Sequence, residues 1–333
     1  MWEVTKELSA IPNEGRQGIS SSAKMLSLCL LAFISFGLSS TARAGSLSTA
    51  EARKLIARVA GFALKIGAVH VKQVSAVDAT TMTATAEIEV AFRLEQNDQK
   101  QWRVAEIRSG QDGWEEIAFI LQAVKGELNA TTCDAPGLGH PKSGSTDVTV
   151  RRARCLIANL LGAQLPSDAV RIKSVSPLGL PLVSHQSALV DARLEADFRF
   201  TRDKSSWRVN GFKTGSRGWA DPEGILNEVN KEKAARAQVE LQSIAQALEV
   251  FRGQRGFYVE SKSEAVLIDF LNPTYLAHLI RLDPWRRPYQ YEGTRDHFSL
   301  RSRGPDGKEN TADDIVLTDP TRSTALTSLS FPG

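Results

Sequence analysis

The sequence is poor in the residues that build catalytic centres and soft-metal sites. Of its 333 residues, only three are cysteine and five are histidine. It contains neither a G-x-S-x-G motif nor a complete phosphate-binding loop. Cys155 lies at helical spacing among apolar residues, which indicates a core position rather than a nucleophile. These absences favour a non-enzymatic protein. The histidines lack the mutual spacing of metal ligands; they are His70, His140, His185, His278 and His297.

The sequence also lacks an excess of charge of one sign. The formal net charge is +3 at pH 7, and the charged residues are dispersed along the chain. The six tryptophans are not accompanied by a basic stripe. Because nucleic-acid binding requires a basic patch, no nucleic-acid partner is expected.

No apolar run of membrane-spanning length stands near the N-terminus. The run from Met25 to Leu38 is shorter than the roughly 20 residues that a spanning helix needs. Small residues follow it at Ala42 and Ala44, which predicts a signal peptide over residues 1–44, cleaved after Ala44. A translation start at Met25 fits this pattern better than one at Met1. The mature chain is expected to be periplasmic or secreted without a membrane span; the alternative is an uncleaved anchor in the inner membrane.

Two cysteines remain after the predicted cleavage, Cys133 and Cys155. In an oxidising compartment they are able to pair, but their spacing alone does not decide whether they do. Both states stay open at this point.

The chain contains an internal repeat. Trp102-Arg103-Val104 recurs as Trp207-Arg208-Val209, and Trp114 recurs at the same offset as Trp219. Upstream, residues 87–94 (EIEVAFRL) resemble residues 194–200 (LEADFRF). A repeat of this length predicts two duplicated domains rather than a solenoid.

Each copy reads as a helix, three strands and a second helix, so the fold class is α+β with duplicated helix and antiparallel-sheet modules. The predicted elements of the first copy are a helix over 49–66, strands over 69–77, 82–94 and 101–108, and a helix over 114–124. Those of the second copy are a helix over 148–161 and strands over 170–175, 187–201 and 206–213. The domain map is therefore repeat 1 over 45–128, a linker over 129–146, and repeat 2 over 147–233.

The paired tryptophans allow two interpretations. They either line a ligand pocket, or Trp102 and Trp207 fill the core while Trp114 and Trp219 anchor the helix that follows each of them. No convergent polar group accompanies them in the sequence, so the second interpretation is favoured.

A long helix follows Trp219. Asp221 is a plausible N-cap, and Pro222 occupies the first helical position. The helical pattern runs to about Arg252, where Gly253 and Gly256 follow. Its apolar stripe consists of Leu241, Ile244, Leu248 and Phe251.

The remainder of the chain carries several family motifs in order. Gly256-Phe257-Tyr258-Val259 resembles a G-x-Y-P turn, and residues 283–291 (DPWRRPYQY) resemble the pattern DPWGNPYQY. Residues 304–309 (GPDGKE) and 310–315 (NTADDI) resemble G-A-D-G-x-E and a DADI closure. Residues from about Ala235 to Asp319 are therefore similar to the globular domain of a type II secretion major pseudopilin, which implies a domain over 234–320 with a long N-terminal helix and a tail over 321–333.

The resemblance implies a calcium site. Three carboxylates surround Gly307, and oxygen ligands of this kind suit Ca²⁺. In the family this loop binds calcium through carboxylates that match Asp306, Asp313 and Asp314. Backbone carbonyls that match Arg303 and Lys308 complete the expected ligand set. The alternative is a solvated acidic turn without metal.

The chain departs from the family ahead of the long helix. A pseudopilin begins with an apolar filament helix, whereas residues 228–233 (EVNKEK) and the two repeats precede the helix here. We therefore expect a non-enzymatic exported protein of a type II secretion-like system that binds secretion or pilus components but does not polymerise. The alternative is a periplasmic binding protein whose repeats recognise a ligand or protein, with the C-terminal domain as a scaffold.

Overall fold

The computed structural model describes residues 46–110, 113–124, 133, 148–162, 169–178, 186–215 and 217–319. The predicted signal peptide, the tail and nearly all of the predicted linker lie outside these residues, as do His140 and His185. Leu47 and the described residues after it belong to one compact unit. Within it, we call the described residues of 47–220 the sheet region and residues 221–319 the C-terminal region.

The first helix, α1, spans Thr49–Ala57, and the Oγ of Ser48 caps it by accepting from the backbone N of Glu51 at 3.2 Å. The prediction that it continues to Ile66 is wrong. Gly61 adopts a positive φ of 81°, which a helix cannot contain. The apolar residue Phe62 instead packs from a loop, edge-on against Phe212 with ring centroids 5.2 Å apart.

The remaining elements of the sheet region lie close to their predicted positions, because alternation on strands is a strong sequence signal. The second helix is shorter than predicted, since Glu115–Glu116 form a short strand in front of it. The elements are β1 Val69–Ala76, β2 Thr81–Gln96, β3 Trp102–Arg108, β4 Glu115–Glu116, α2 Ile117–Ala123, α3 Val150–Leu161, β5 Val170–Leu178, β6 Ser187–Asp203 and β7 Ser206–Lys213.

All seven strands form one antiparallel sheet around the two long strands β2 and β6. These two pair along nearly their whole length, from Thr81 opposite Thr201 to Glu95 opposite Ser187. The other edge of β2 pairs with β1 and then β3, and the other edge of β6 pairs with β5 and then β7. Ile88 and Leu194, which correspond in the repeat alignment, lie opposite each other.

One hydrophobic core serves both predicted repeats. Side chains alternate strictly between buried and partly exposed along β6, so one face of the sheet is apolar. The core cluster joins α1, α3 and both long strands, and its fully buried members include Ile56, Phe92, Ile157, Phe198 and Phe200. The sequence did not predict that the two segments share a sheet and a core. Their origin by duplication stays a prediction.

The two cysteines form a disulfide. Cys133 and Cys155 are bonded, with their Cα atoms 5.8 Å apart. The bond joins residue 133 to helix α3. A disulfide of this kind is typical of proteins from oxidising compartments.

The long helix α4 spans Pro222–Arg255. Asp221 caps it as predicted, since its carboxylate accepts from the backbone N of Glu223 and of Gly224. The helix passes through Gly253 and ends at Gly256, which has a φ of 82° and forms the left-handed cap. Among the described residues, no helix is long and apolar enough to cross a membrane.

The C-terminal region continues with α5 Glu264–Leu271, β8 Gln290–Gly293, β9 Phe298–Ser302 and β10 Ile315–Thr318. The three strands form a separate antiparallel sheet in the order β10, β9, β8. The predicted stripe of α4 is buried against this sheet and α5 in a second core cluster, which consists of Leu241, Ile244, Leu248 and Phe251 with Tyr258, Tyr289, Tyr291 and Leu300 among others.

Candidate functional site

The turn that carries the DPW motif is organised by one carboxylate. Asp283 is 2% exposed, and its Oδ1 accepts from the backbone N of Trp285 at 3.0 Å and of Arg287 at 2.9 Å. Its Oδ2 accepts from the Oγ of Ser302 on β9 at 2.6 Å. The motif aspartate therefore shapes the turn and fixes it to the small sheet.

Arg286 stands where the family pattern has glycine. Its φ is 67°, in the left-handed region that glycine adopts most easily. Its guanidinium pairs with Glu106 on β3, a carboxylate that is only 6% exposed. Glu106 also forms an ion pair with Arg93 of β2 at 2.7 Å. The turn is thereby attached to the sheet region.

Helix α4 is attached to the sheet region at strand β4, which pairs with β3. The buried Lys233 donates to Glu115 at 2.6 Å, and Arg236 pairs with Glu116 at 2.7 Å. The indole N of Trp285 donates to Asn230 of α4 at 3.0 Å. Burial raises the pKa of Glu115, and the ammonium group of Lys233 opposes that rise.

The motif tyrosines are structural. Tyr289 donates to Glu240 of α4 at 2.6 Å, Tyr258 donates to Glu249 at 2.7 Å, and Tyr291 donates to the carbonyl of Val259 at 2.6 Å. Burial raises the pKa of all three phenols, that of Tyr258 to about 12. As neutral hydrogen-bond donors, these phenols hold helix α4, the DPW turn and the small sheet together.

The acidic loop between β9 and β10 contains two tight turns that require glycine. Gly304 and Gly307 have φ values of 56° and 67°. A Cβ on Gly304 would lie 2.3 Å from the carbonyl O of Asp313, and one on Gly307 would lie 2.5 Å from the guanidinium carbon of Arg287. The glycines therefore allow the loop to fold back on itself.

Three of the five predicted calcium ligands converge on one hydroxyl. The Oγ1 of Thr311 lies 3.4 Å from a carboxylate oxygen of Asp306, 3.3 Å from one of Asp314 and 3.2 Å from the carbonyl of Lys308. The same carboxylates accept from backbone N–H groups, that of Asp306 from Lys308 and that of Asp314 from Asn310.

The other two predicted ligands are engaged elsewhere in the loop. Asp313 accepts from the backbone N of Asp306 at 3.1 Å, a hydrogen bond that lowers the pKa of Asp313. The carbonyl of Arg303 accepts from the backbone N of Gly307 at 3.2 Å. All five predicted ligands thus belong to one loop, and each of them accepts a hydrogen bond within it.

Two cations of the chain itself lie against the loop. Arg287, which stands where the family pattern has asparagine, donates to the carbonyls of Gly304 and Pro305. Arg301 lies 3.6 Å from Asp314. The donor set is oxygen-only, as a hard cation requires. In the part of the chain that the structure describes, however, no group of three or more His, Cys, Asp or Glu side chains is arranged as a metal site.

Several residues that join the two regions were not predicted from the sequence. Arg286 and Arg287 are the two departures from the DPW pattern, and that departure was the available signal. Glu106 and Lys233 gave no such signal, because a buried ion pair between distant segments leaves no local pattern.

The described histidines lie apart. His70 is 3.5 Å from Glu89 on the large sheet, and His297 is 3.4 Å from Asp319 beside the small sheet. Trp102 and Trp207 fill the core as predicted, and Trp219 is 37% exposed; that Trp114 and Trp219 anchor the helices after them stays a prediction.

Residues 224–318 match the family model of protein G of the type II secretion system (T2SS). No curated protein and no solved structure matches the chain. The match covers α4 to β10, and it confirms the resemblance that the motifs carry. It begins at Gly224 rather than near Ala235, and thus includes nearly all of α4, which starts at Pro222. The C-terminal region is thus a protein G-like domain.

Proposed function

We propose that this protein is a non-enzymatic, exported component of a type II secretion-like system, whose protein G-like domain binds other components of the apparatus. The observation that carries the proposal is the match of residues 224–318 together with the attachment of that domain to the large sheet. The disulfide between Cys133 and Cys155 supports a periplasmic or secreted location.

The attachment favours an adaptor over a filament subunit. The N-terminal half of α4 buries Val229, Lys233 and Ala237, and Lys233 and Arg236 pair with β4 of the sheet region. That half is therefore occupied by contacts within the chain. The protein G-like domain, which we call the head, is thus fixed to the sheet region, which we call the base.

The head has exposed apolar side chains that suit protein contacts. Phe270 on α5 is 52% exposed, and Leu279 is 55% exposed. Apolar groups at the surface stabilise association by leaving water. Phe270 and Leu279 are therefore the residues at which we test partner binding.

The test is co-purification of the full chain with purified pseudopilins of a type II system. We expect capture by the unaltered chain and at least about ten-fold weaker capture by a Phe270→Ser, Leu279→Ser double variant. The matched control is Val77→Ser, which removes an apolar residue that is 62% exposed on the sheet region. Equal capture by all three proteins, or by none, counts against the proposal.

We propose further that the acidic loop binds Ca²⁺ through the carboxylates of Asp306, Asp313 and Asp314 and the carbonyls of Arg303 and Lys308. The oxygen-only donors and the convergence of three of them on Thr311 support this. Bound calcium would hold the loop closed and stabilise the folded domain.

Calorimetric titration of the full chain with Ca²⁺ tests this second proposal. Asp306→Asn should abolish the binding heat, while Asp269→Asn, on the exposed face of α5, should leave it unchanged. Free calcium at 100 times its Kd should stabilise the domain by about 2.7 kcal/mol. A melting temperature that is indifferent to both calcium and chelator contradicts the proposal.

A second candidate function is ligand or protein binding by the sheet region, with the head as a scaffold. The exposed Trp219 favours it, because an exposed tryptophan among cations suits recognition rather than core packing. Retention of a partner by the Phe270, Leu279 double variant would favour this candidate.

A further inference from the structure

The two ends of the large sheet carry the same arrangement of an arginine over a tryptophan. Arg93 of β2 lies 5.1 Å from the ring centre of Trp114, and Arg199 of β6 lies 5.0 Å from that of Trp219. Both arginines sit one residue before a register shift in their strand pair. The two positions are therefore structurally equivalent.

The first of these sites is filled by a carboxylate. Glu106 lies opposite Arg93 on β3 and forms an ion pair with it at 2.7 Å. Arg286 of the C-terminal region pairs with the same carboxylate. The arginine over Trp114 thus has its natural anionic partner.

The second site lacks that carboxylate. Gly211 lies opposite Arg199 in the place that Glu106 takes opposite Arg93. Arg199 donates only to the side-chain oxygen of Asn210, at 3.4 Å, and no ion pair to it occurs within the described part of the chain. A Cβ on Gly211 would lie 3.3 Å from the guanidinium and 3.5 Å from the ring of Trp219, so the glycine allows both groups to pack closely against the strand.

The surroundings of the second site are cationic and accessible. Lys213 lies 5.1 Å from the ring centre of Trp219 and is paired with Asp197 at 3.5 Å. Arg208, on the same strand, is exposed. Trp219 is 37% exposed. An anion can therefore approach the guanidinium from solvent.

We propose that this second site, formed by Arg199, Lys213 and Trp219, binds an aspartate or glutamate side chain of a partner protein. The guanidinium fork matches a carboxylate, and the equivalent site of the same sheet already holds one. The ring of Trp219 supplies apolar contact to the stem of such a side chain. The site lies outside residues 224–318, so it does not depend on the secretion role.

The probe is tetraglutamate with an amidated C-terminus, titrated into the full chain. The readout is the NMR signal of the Trp219 indole N–H, assigned by its loss in Trp219→Phe. We expect a saturable shift of that signal. Arg199→Gln should weaken binding by about ten-fold or more, since a hydrogen bond to a charged group is lost. Lys204→Gln, which removes an equal charge from the exposed turn between β6 and β7, should not.

A second variant supplies the missing carboxylate from within the chain. Gly211→Glu should abolish peptide binding, because the new carboxylate pairs with Arg199 as Glu106 pairs with Arg93 at the other end, once the flexible guanidinium has moved slightly to admit the new Cβ. Loss of peptide binding in Gly211→Glu but not in Arg199→Gln would indicate steric blockage and would overturn the proposal.

Two further probes test whether the site prefers a chain end or a nucleic acid to a carboxylate side chain. A neutral tetrapeptide with a free C-terminus that binds as well as tetraglutamate would assign the site to chain ends and overturn the proposal. Stronger binding of single-stranded oligothymidylate at equal charge would overturn it in favour of nucleic acid. If none of these probes shifts the Trp219 signal, the proposal is overturned as well.

Discussion

Arg286, in the turn of the C-terminal region, pairs with the buried carboxylate of Glu106, which lies 180 residues earlier on strand β3. The same carboxylate pairs with Arg93 of β2. One glutamate thus joins two strands of the large sheet to the head, and this explains why the turn tolerates an arginine in a glycine conformation.

Replacing Glu106 should loosen the head from its base. Glu106→Gln should lower the free energy of unfolding by about 2 kcal/mol, less than the about 3–5 kcal/mol of a fully buried pair, because Arg286 is 41% exposed. Urea denaturation measures the change. The control is Glu95→Gln, whose partner Arg103 is exposed, and which should cost less than about 0.5 kcal/mol. Equal effects of the two substitutions would contradict this assignment.

Arg287→Asn restores the residue of the family pattern and removes a cation from the acidic loop. Because the guanidinium lies near Asp313 and competes with any bound cation, we expect calcium affinity to rise by about ten-fold. Calorimetric titration measures the change, with Arg255→Asn at the exposed end of α4 as the control. An unchanged affinity would show that Arg287 and the ion do not share a site.

Acid should weaken the large sheet through Glu89. Hydrogen bonds from Arg193 and Lys173 lower the pKa of Glu89 from 4.5 to about 2 in the folded chain. Between these values the unfolded chain binds more protons than the folded chain, so this contribution is complete above pH 4.5 and is lost as the pH falls towards 2. After allowance for solvent screening we expect a loss of about 1–2 kcal/mol.

Denaturation curves at a series of acidic pH values test the Glu89 prediction. In Glu89→Gln the slope of stability against pH should be flatter than in the unaltered chain, and in Glu95→Gln it should be unchanged. Parallel slopes in all three proteins would contradict the prediction.

The disulfide should stabilise the sheet region by restricting the unfolded chain. Its two cysteines are 22 residues apart, and a loop of that length corresponds to about 3 kcal/mol. The double variant Cys133→Ser, Cys155→Ser should therefore unfold at lower urea concentration. The reduced form of the unaltered chain should match it; a denaturation curve identical to that of the oxidised chain would contradict the prediction.

The sequence predicted the individual helices and strands better than it predicted which strands pair with each other. Strand β7 was predicted over Ser206–Lys213 and is found there. The pairing of β2 with β6 could not be predicted, since either long strand offers the same pattern to any partner. Helix α1 was predicted too long because the apolar spacing continues past Gly61, whose backbone turns the chain.

The candidate site was predicted in part. The DPW turn and the acidic loop follow from motifs, and the match of residues 224–318 confirms that resemblance. Their attachment through Glu106 depends on a contact between segments far apart in the chain. The missing carboxylate opposite Arg199 becomes visible only when the two ends of the sheet are compared, since Gly211 in isolation is an ordinary strand residue.

Helix α4 is one continuous rod from the base to the head, 34 residues and therefore about 50 Å in length. Because its first half is fixed by ion pairs and its second half by the core of the head, it has no joint between them. A displacement of the head would therefore be passed along this rod to strand β4 through the ion pairs of Lys233 and Arg236. The head and the sheet region thus share one continuous element of secondary structure.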